Sequence, residues 1–300
     1  MIIRDSNGRT CRNLAARWQS TGHSPWSLAH VILALGLAVV LALLVGAPAL
    51  AATDRSTVAT APAVQVVTSP VTDHGGAVLA HVTVHTIWWG PAAAFPADER
   101  EAVTAALPAL ASSAYLATID EYLRGASATV SVVASNSWTD PSTPPTTLVT
   151  ADVIAEEVAR YLAATGRHAD PAAVYVVLTS SAVTGPSCAW HSARVLTTAA
   201  TATLVPIVYL PTTTGVARCA AGAAHEGVSD TTASVLTSLA HELVETMTDP
   251  IPGATWTDAQ GAEISDRCAD DSTLVDLGRG QRIPVQGVWS DTAGRCTVGG

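Results

Sequence analysis

Lysine is absent from this 300-residue chain, whose 15 basic residues are all arginine. That absence excludes a Walker-type phosphate loop, a Schiff-base lysine and a serine–lysine hydrolase pair, because each of them needs a lysine side chain. Basic charge is also scarce, since 25 acidic residues give a formal net charge of −10. Nucleic-acid binding requires a basic surface, so the composition predicts no nucleic-acid partner.

Two motifs are missing as well. No GxSxG stretch occurs, so an α/β-hydrolase serine is not indicated. No CxxC pair occurs either, and structural zinc sites made of cysteines usually contain one. The cysteines therefore need another explanation.

The first 51 residues have the features of a secretory signal peptide. Four arginines precede the apolar run VILALGLAVVLALLV at residues 31–45, and Ala49-Leu50-Ala51 follows as a small-x-small cleavage site. The alternative is an uncleaved signal anchor, since the apolar run approaches the length of a short membrane span. Cleavage before Ala52 predicts a secreted, extracellular or cell-envelope protein with no stable membrane span.

The remaining cysteines are even in number. Cys11 leaves with the predicted leader, and Cys188, Cys219, Cys268 and Cys296 remain. In an exported chain this predicts two disulfides with three possible connectivities. Proximity along the chain favours Cys188–Cys219 and Cys268–Cys296, although the sequence alone leaves the pairing open.

The rest of the chain predicts a flexible linker at 52–76 and one folded domain at 77–300. The linker is rich in Thr, Ala and Pro without helical periodicity. In the domain, β-branched and apolar runs alternate with helical patterns, which predicts an α/β (or α+β) fold with a mixed β-sheet flanked by helices. Pro108 is expected to break the first helical pattern, with a second helix running to about Arg124. Strands are expected at HVTVHTIWWG, ATVSVVASNSW, AVYVVLTS and TLVPIVYLP, and a helix at 152–164.

The most informative segment is a helix that begins at Ser229-Asp230 and ends before Pro250. Its apolar residues form one stripe, while His241, Glu245 and Asp249 follow one another at steps of one turn on the opposite face. Side chains four residues apart on a helix can share a metal ion. His241-Glu242-Leu243-Val244-Glu245 is HExxE, one residue away from the zincin motif HExxH.

This motif predicts a divalent-metal site, with His241 and Glu245 as ligands and Glu242 as the catalytic base that activates water. Asp249 is one candidate for the third ligand. The others are Glu263 and Asp266, which a turn at Gln260-Gly261 is expected to bring near. Zinc is favoured, and Ca²⁺ is the alternative because the region is rich in carboxylates. The simplest alternative is a solvent-exposed acidic helix face that binds nothing.

Other histidines are weaker candidates. His81 and His85 lie on one side of a predicted strand, where an imidazole could reach the helix or simply pack. His225 precedes the helix. Cys188 and His191 together suggest a cysteine nucleophile, but an exported thiol is expected to be oxidised to a disulfide.

Several short motifs in order resemble bacterial relatives of the phosphate-induced protein 1 / EXORDIUM family. They are HVTVHTIWWG, YVVLTS with GPSCAWH, HELVETMTDP and EISDRC, and the likeness covers roughly residues 78–296. The resemblance implies export to a cell wall or the extracellular space. It implies no catalytic residues, because no biochemical activity is established for that family.

Two functions follow as expectations. The first is an exported metal-dependent hydrolase of the metallopeptidase type, acting on peptide or cell-wall material. The alternative is a non-catalytic extracellular or cell-envelope protein of the EXORDIUM type, with a structural calcium site or no metal.

Overall fold

The computed structural model of the chain describes residues 70–132, 138–182, 185–197, 201–222, 225–269, 271–276 and 282–299. These residues all belong to one compact unit, Gln65–Gly300. The predicted signal peptide at 1–51 and residues 52–69 of the predicted linker lie outside the described residues.

The secondary structure alternates strands and helices along the chain. In the described residues the strands are β1 (Thr72–Asp73), β2 (His81–Trp89), β3 (Thr129–Val132), β4 (Trp138–Asp140), β5 (Ala173–Ala182), β6 (Trp190–Thr197), β7 (Ala202–Thr212), β8 (Trp256–Thr257), β9 (Ser272–Asp276), β10 (Arg282–Gln286), β11 (Val288–Ser290) and β12 (Arg295–Thr297). The α-helices of the same residues are α1 (Glu99–Ala111), α2 (Ala114–Ala117), α3 (Ala151–Thr165) and α4 (Asp230–Thr248).

The central sheet is mixed and has the strand order β3-β2-β5-β7-β6, with β4 pairing farther along β2. Every pairing in it is parallel except that of β6 with β7, which is antiparallel. Smaller antiparallel pairs are β1 with β8, β9 with β10, and β11 with β12. The predicted fold of a mixed sheet flanked by helices is therefore confirmed.

Both faces of the sheet are covered, which explains why its central strands are almost continuously apolar. On β5, Val174, Val176 and Leu178 point into the core that contains α1 and α4. Their neighbours Ala173, Tyr175 and Val177 point into the second core, under α3. Successive side chains of a strand face opposite sides, so one strand supplies both layers.

Helix α3 agrees closely with its prediction. The Thr150 side chain accepts a hydrogen bond from the Val153 amide at its start, and Gly166 ends it in the left-handed conformation with φ of +66°. Only a residue without a Cβ adopts that conformation at little cost. The helix lies within one residue of the expected range 152–164.

Three local expectations were wrong. Helix α1 continues through Pro108 to Ala111, because a proline in the last turn removes only one backbone hydrogen bond while Leu107 and Leu110 remain buried. The second helix does not run to Arg124 but is limited to α2 and a 3-10 turn at Asp120–Tyr122. The fold begins before Ala77, because β1 pairs with β8 and Val71 is buried.

Two disulfides connect the periphery to the core. Cys188 bonds to Cys219 and Cys268 bonds to Cys296, with Cα–Cα distances of 5.4 and 5.8 Å. This is the pairing that proximity favours. The second bond joins the 3-10 turn Asp266–Cys268 to β12, so it restrains the segment that carries Asp266.

None of the helices in the described residues combines, by itself, the length and the apolarity of a membrane span. The bent helix pair Glu99–Ala111 and Ala114–Tyr122 has both when taken together, judged by length and composition only.

Candidate metal centre on helix α4

Helix α4 forms where its capping residues and apolar stripe predict. The Ser229 side chain accepts a hydrogen bond from the Thr232 amide at 3.3 Å, and the helix ends at Asp249, before Pro250. The apolar stripe is buried against the sheet and α1, and consists of Leu236, Leu239, Ala240, Leu243 and Met247. The stripe thereby fixes which face the acidic residues occupy.

The acidic face of α4 is buried rather than exposed. Glu242 and Glu245 retain 6% and 2% of their accessible surface. Strand β6 and the segment 263–266 lie against them. A solvent-exposed helix face, the simplest alternative from the sequence, is therefore wrong for these two glutamates. Buried carboxylates require partners, since an isolated buried charge is strongly unfavourable.

His241, Glu245 and Asp266 converge as the sequence predicts. His241 Nε2 lies 3.0 Å from Glu245 Oε2 and 3.5 Å from Asp266 Oδ1. His241 Nδ1 donates a hydrogen bond to Gln286 Oε1, and the Gln286 amide nitrogen donates to the Ala269 carbonyl. These two hydrogen bonds place a proton on Nδ1 of His241, so Nε2 is the nitrogen that can bind a metal. The side chain of Asp266 is 51% exposed, which opens the group to solvent.

The other carboxylate oxygen of Glu245, Oε1, hydrogen-bonds the backbone. Oε1 accepts hydrogen bonds from the amides of Ser265 and Asp266, at 3.1 and 3.0 Å. The carboxylate is therefore held in one orientation, with Oε2 directed at the histidines. The turn at 258–262, closed by hydrogen bonds to the Asp258 side chain, delivers the segment that makes these contacts. Asp266 thus approaches His241 on the helix, as expected, whereas Glu263 contacts His191 on β6 and belongs to neither candidate group of metal ligands.

A second histidine, His191, enters the cluster from β6. Its Nδ1 lies 3.1 Å from Glu242 Oε2 and 3.9 Å from Glu245 Oε2. Its Nε2 donates to the Asp249 carbonyl at 3.0 Å and lies 3.4 Å from Glu263 Oε1. His191 is thus surrounded by the acidic side chains of the site.

His191 is not among the predicted site residues, because its strand β6 is not among the predicted strands. The sequence suggested His191 only as a partner of Cys188, and the Cys188–Cys219 disulfide excludes that nucleophile. The run WHSARVLT carries β-branched and apolar residues that would have indicated a strand. Adjacency to α4, however, is a property of the sheet order.

Asp249 is not a ligand of this cluster, contrary to one expectation. Its carboxylate accepts hydrogen bonds from the amides of Gly253, Ala254 and Thr255, at 2.8, 3.2 and 2.9 Å. The helix ends at this residue, and the carboxylate turns toward the loop that follows. Asp249 therefore closes the turn after α4 and contributes only its backbone carbonyl, through His191.

The electrostatics of the cluster favour positive charge at the imidazoles. Burial alone lowers the pKa of His191, but Glu242 and Glu263 outweigh it and hold the pKa well above the ordinary value. At His241, burial is likewise outweighed by Glu245 and Asp266, and the pKa rises. The hydrogen bond from His241 lowers the pKa of Asp266, while burial raises that of Glu263. Cations are therefore stabilised at both imidazole positions.

Two groups of residues can hold a metal ion in the described part of the chain. They are His191, Glu242 and Glu245, and His241, Glu245 and Asp266, with the ligand atoms of each group within 4.8 Å of one another. Nearby, Tyr115 OH, Glu263 Oε1 and Ser265 Oγ are buried without a hydrogen bond to any described residue. Burial and then the charge of Glu245 raise the pKa of Tyr115, so this hydroxyl is near the cluster. A bound ion or water is one way in which buried polar atoms without a protein partner are satisfied.

The other three candidate histidines lie elsewhere. His85 is buried under α3, where Nδ1 hydrogen-bonds the Tyr161 hydroxyl at 2.8 Å and the ring stacks on Tyr175. His81 contacts the Thr129 hydroxyl. His225 pairs with Asp230 at the start of α4, about three turns from His241. The structure brings none of these three to the acidic cluster.

Comparison with known proteins gives no relative. No protein-family model, no curated protein and no solved structure matches this chain.

Proposed function

We propose that this chain is an exported zinc-dependent hydrolase of the metallopeptidase type, with its metal at His241, Glu245 and Asp266. The observation that carries the proposal is the spacing of the ligand atoms. Zinc bonds of 2.0–2.1 Å in tetrahedral geometry separate ligand atoms by about 3.3–3.4 Å. The separations from His241 Nε2 are 3.0 Å to Glu245 and 3.5 Å to Asp266.

The donor chemistry supports zinc over calcium. Imidazole nitrogen suits Zn²⁺ and related transition metals, whereas Ca²⁺ prefers six to eight oxygen ligands. Gln286 accepts the other ring N–H of His241 and so fixes its orientation, as acceptors beside zinc-binding histidines commonly do. A catalytic zinc also needs an open coordination position, and the half-exposed Asp266 lies on the solvent side of this group.

Glu242 is the base in this proposal. Its carboxylate lies beside that of Glu245 in the same cluster and is held by His191 at 3.1 Å. A bound zinc ion supplies Lewis-acid polarisation of water and of the substrate carbonyl. Glu242 accepts the proton of the attacking water and delivers it to the leaving amine. His191, anchored through Nε2 to the Asp249 carbonyl, fixes the direction of that carboxylate.

Export and the partner class belong to the same proposal. The two disulfides agree with an oxidising compartment, and peptide or cell-wall material is the substrate class expected there. The EXORDIUM-type alternative, a non-catalytic envelope protein with structural calcium or no metal, rests on the burial of Glu242 and Glu245. It requires that metal stabilise the fold without any hydrolysis.

The test is the metal content and the peptidase activity of the full chain beside three variants. His241→Ala should lose one equivalent of zinc, while the matched control His225→Ala, on the same helix start, should keep it. Glu242→Gln should keep zinc at the His241 centre and abolish cleavage of a peptide library and of peptidoglycan fragments. Equal zinc in His241→Ala and wild type refutes the site. Turnover in Glu242→Gln equal to that of wild type refutes Glu242 as the base. No turnover in wild type with zinc bound refutes the hydrolase and leaves the non-catalytic alternative.

A further inference from the structure

We infer that the buried side of the cluster is a second divalent-cation site, formed by His191, Glu242 and Glu245, and that Glu245 bridges it to the first. The inference rests on the proposed function for the first centre. It adds a separate site, with a ligand from β6 that HExxE does not contain. A second transition-metal ion of the zinc type is the ligand that this donor set fits.

The geometry around Glu245 supports its role as a bridge between the two sites. Oε2 lies 3.0 Å from His241 Nε2 and 3.9 Å from His191 Nδ1, so two imidazoles approach one carboxylate oxygen. Oε1 is held by two backbone amides and is not turned toward either ring. A single oxygen between two nitrogen ligands is the arrangement of a bridging carboxylate. In two-metal enzymes the ions stand about 3.5–4 Å apart.

Both imidazoles are oriented in the same way. His241 donates from Nδ1 to Gln286, and His191 donates from Nε2 to the Asp249 carbonyl. In each ring the nitrogen remote from Glu245 is thus committed as a donor to a fixed acceptor. The nitrogen that faces Glu245 is the one left for a metal. Outer hydrogen bonds of this kind fix the tautomer of metal-binding histidines.

The charge of the cluster supports two ions rather than one. Glu242, Glu245, Glu263 and Asp266 carry four negative charges beside two imidazoles. With both imidazoles neutral, as ligands must be, two divalent cations balance those four charges. One divalent cation leaves two charges, and the glutamates of the set are at least nine-tenths buried. Buried charges are paired or coordinate metals in folded proteins.

One unsatisfied polar atom gives an independent indication on the buried side. Ser265 Oγ is fully buried, beside the amide that holds Glu245, and has no hydrogen bond to a described residue. Water coordinated to a cation at Glu245 would supply a partner for this hydroxyl. Glu263 lies at the other edge of His191, with Oε1 3.4 Å from Nε2.

The second site has a consequence for the proposed chemistry. Glu242 is a much weaker base while it ligates a cation, because the charge of the cation lowers the proton affinity of the carboxylate. Filling the buried site therefore lowers the hydrolase activity. Excess zinc is expected to inhibit the protein whose first zinc equivalent activates it.

The experiment is a zinc titration of the metal-free full chain against a chromophoric chelator, with cobalt chloride as a second probe followed by visible absorption. Wild type should bind two ions per chain. Glu242→Gln, which keeps the shape of the side chain, and His191→Gln should each bind one. Asp266→Ala should also bind one ion, at the buried site, and its cobalt spectrum should differ from that of Glu242→Gln and His191→Gln, which keep only the first site. Glu156→Gln, on the exposed face of α3, is the matched control and should bind two. Melting temperatures of the metal-free variants identify any that fail to fold.

The outcomes separate the two proposals. One zinc in wild type that is lost in Asp266→Ala but kept in Glu242→Gln overturns the second site and leaves the first. One zinc that is lost in Glu242→Gln but kept in Asp266→Ala overturns the proposed catalytic centre and the bridge together. No zinc in wild type overturns both. Two zincs in both wild type and Glu242→Gln overturn the assignment of Glu242 as a ligand.

Discussion

The Cys268–Cys296 disulfide should couple fold stability to metal binding, and removing it tests the geometry of the site. The bond joins residues 28 apart in sequence. In the chain-entropy model, a closed loop of that length stabilises the folded state by about 3.6 kcal/mol at 25 °C. It also restrains the 3-10 turn Asp266–Cys268, whose neighbouring amides hold Glu245. Cys268→Ala with Cys296→Ala should therefore lower both the free energy of unfolding and the affinity for zinc.

The other disulfide provides a closely matched control. Cys188 and Cys219 are 31 residues apart, for which the same model gives about 3.7 kcal/mol. Each bond joins one buried and one half-buried cysteine, so alanine leaves similar cavities. This bond touches neither His241 nor the segment 263–266. Its removal should cost as much stability as removal of the first bond while leaving zinc binding at the His241 centre intact.

The assay is urea unfolding of the metal-free chain, followed by zinc titration of the folded variants. We expect similar losses of unfolding free energy in the two double variants. We expect about a tenfold or greater loss of zinc affinity only in the Cys268/Cys296 variant, which is the usual cost of losing a contact that holds a metal ligand in place. Equal zinc affinity in both variants would show that the disulfide does not hold Asp266 in place, and would refute the reasoning.

Three further predictions use single substitutions. Asp249→Ala should lower the free energy of unfolding by about 2–4 kcal/mol, because three loop amides lose their acceptor, and it should leave zinc stoichiometry unchanged; loss of a zinc would restore Asp249 as a ligand. Gln286→Ala should weaken zinc binding by about 10- to 100-fold with little change in metal-free stability, measured by titration and urea unfolding. Glu99 is 2% exposed, and burial raises its pKa from 4.5 to about 7. Its pKa in the folded state lies above its unfolded value, so the free energy of unfolding falls as pH rises from about 4.5 to 7. Glu99→Gln should therefore be more stable than wild type by up to about 3 kcal/mol at pH 8 and equally stable at pH 4. Equal gains in stability at both pH values would contradict this.

Local signals predicted the elements that carry their own information. The cap at Ser229, the stop at Pro250 and the periodic apolar stripe are all within the segment that forms α4, so its helix and its faces could be predicted. The end of α3 at Gly166 could be predicted in the same way, because the signal lies within the segment itself. The predicted break at Pro108 was wrong because the effect of a proline depends on its position within the helix, and the packing of α1 set that position.

The third metal ligand could not be predicted from the local sequence pattern of α4. Asp249, at helical spacing from Glu245, was a reasonable candidate, but its carboxylate is used by the loop that begins where the helix ends. Asp266 is 21 residues from Glu245, and a turn and a disulfide bring it there. His191 is 51 residues from Glu242, and only the place of β6 at the edge of the sheet brings it to the helix.

The sequence by itself determined the residue types of the site and their face on α4, because helical periodicity converts spacing directly into direction. It also determined that four cysteines could form two bonds, and that central strands would be buried on both sides. Tertiary structure decided which carboxylates can bind a cation and which accept hydrogen bonds from backbone amides instead. It also decided that the acidic face is buried, because β6 and the segment 263–266 cover it. Such contacts depend on sheet order and loop closure, which join residues far apart in the chain and leave no periodic trace in the sequence.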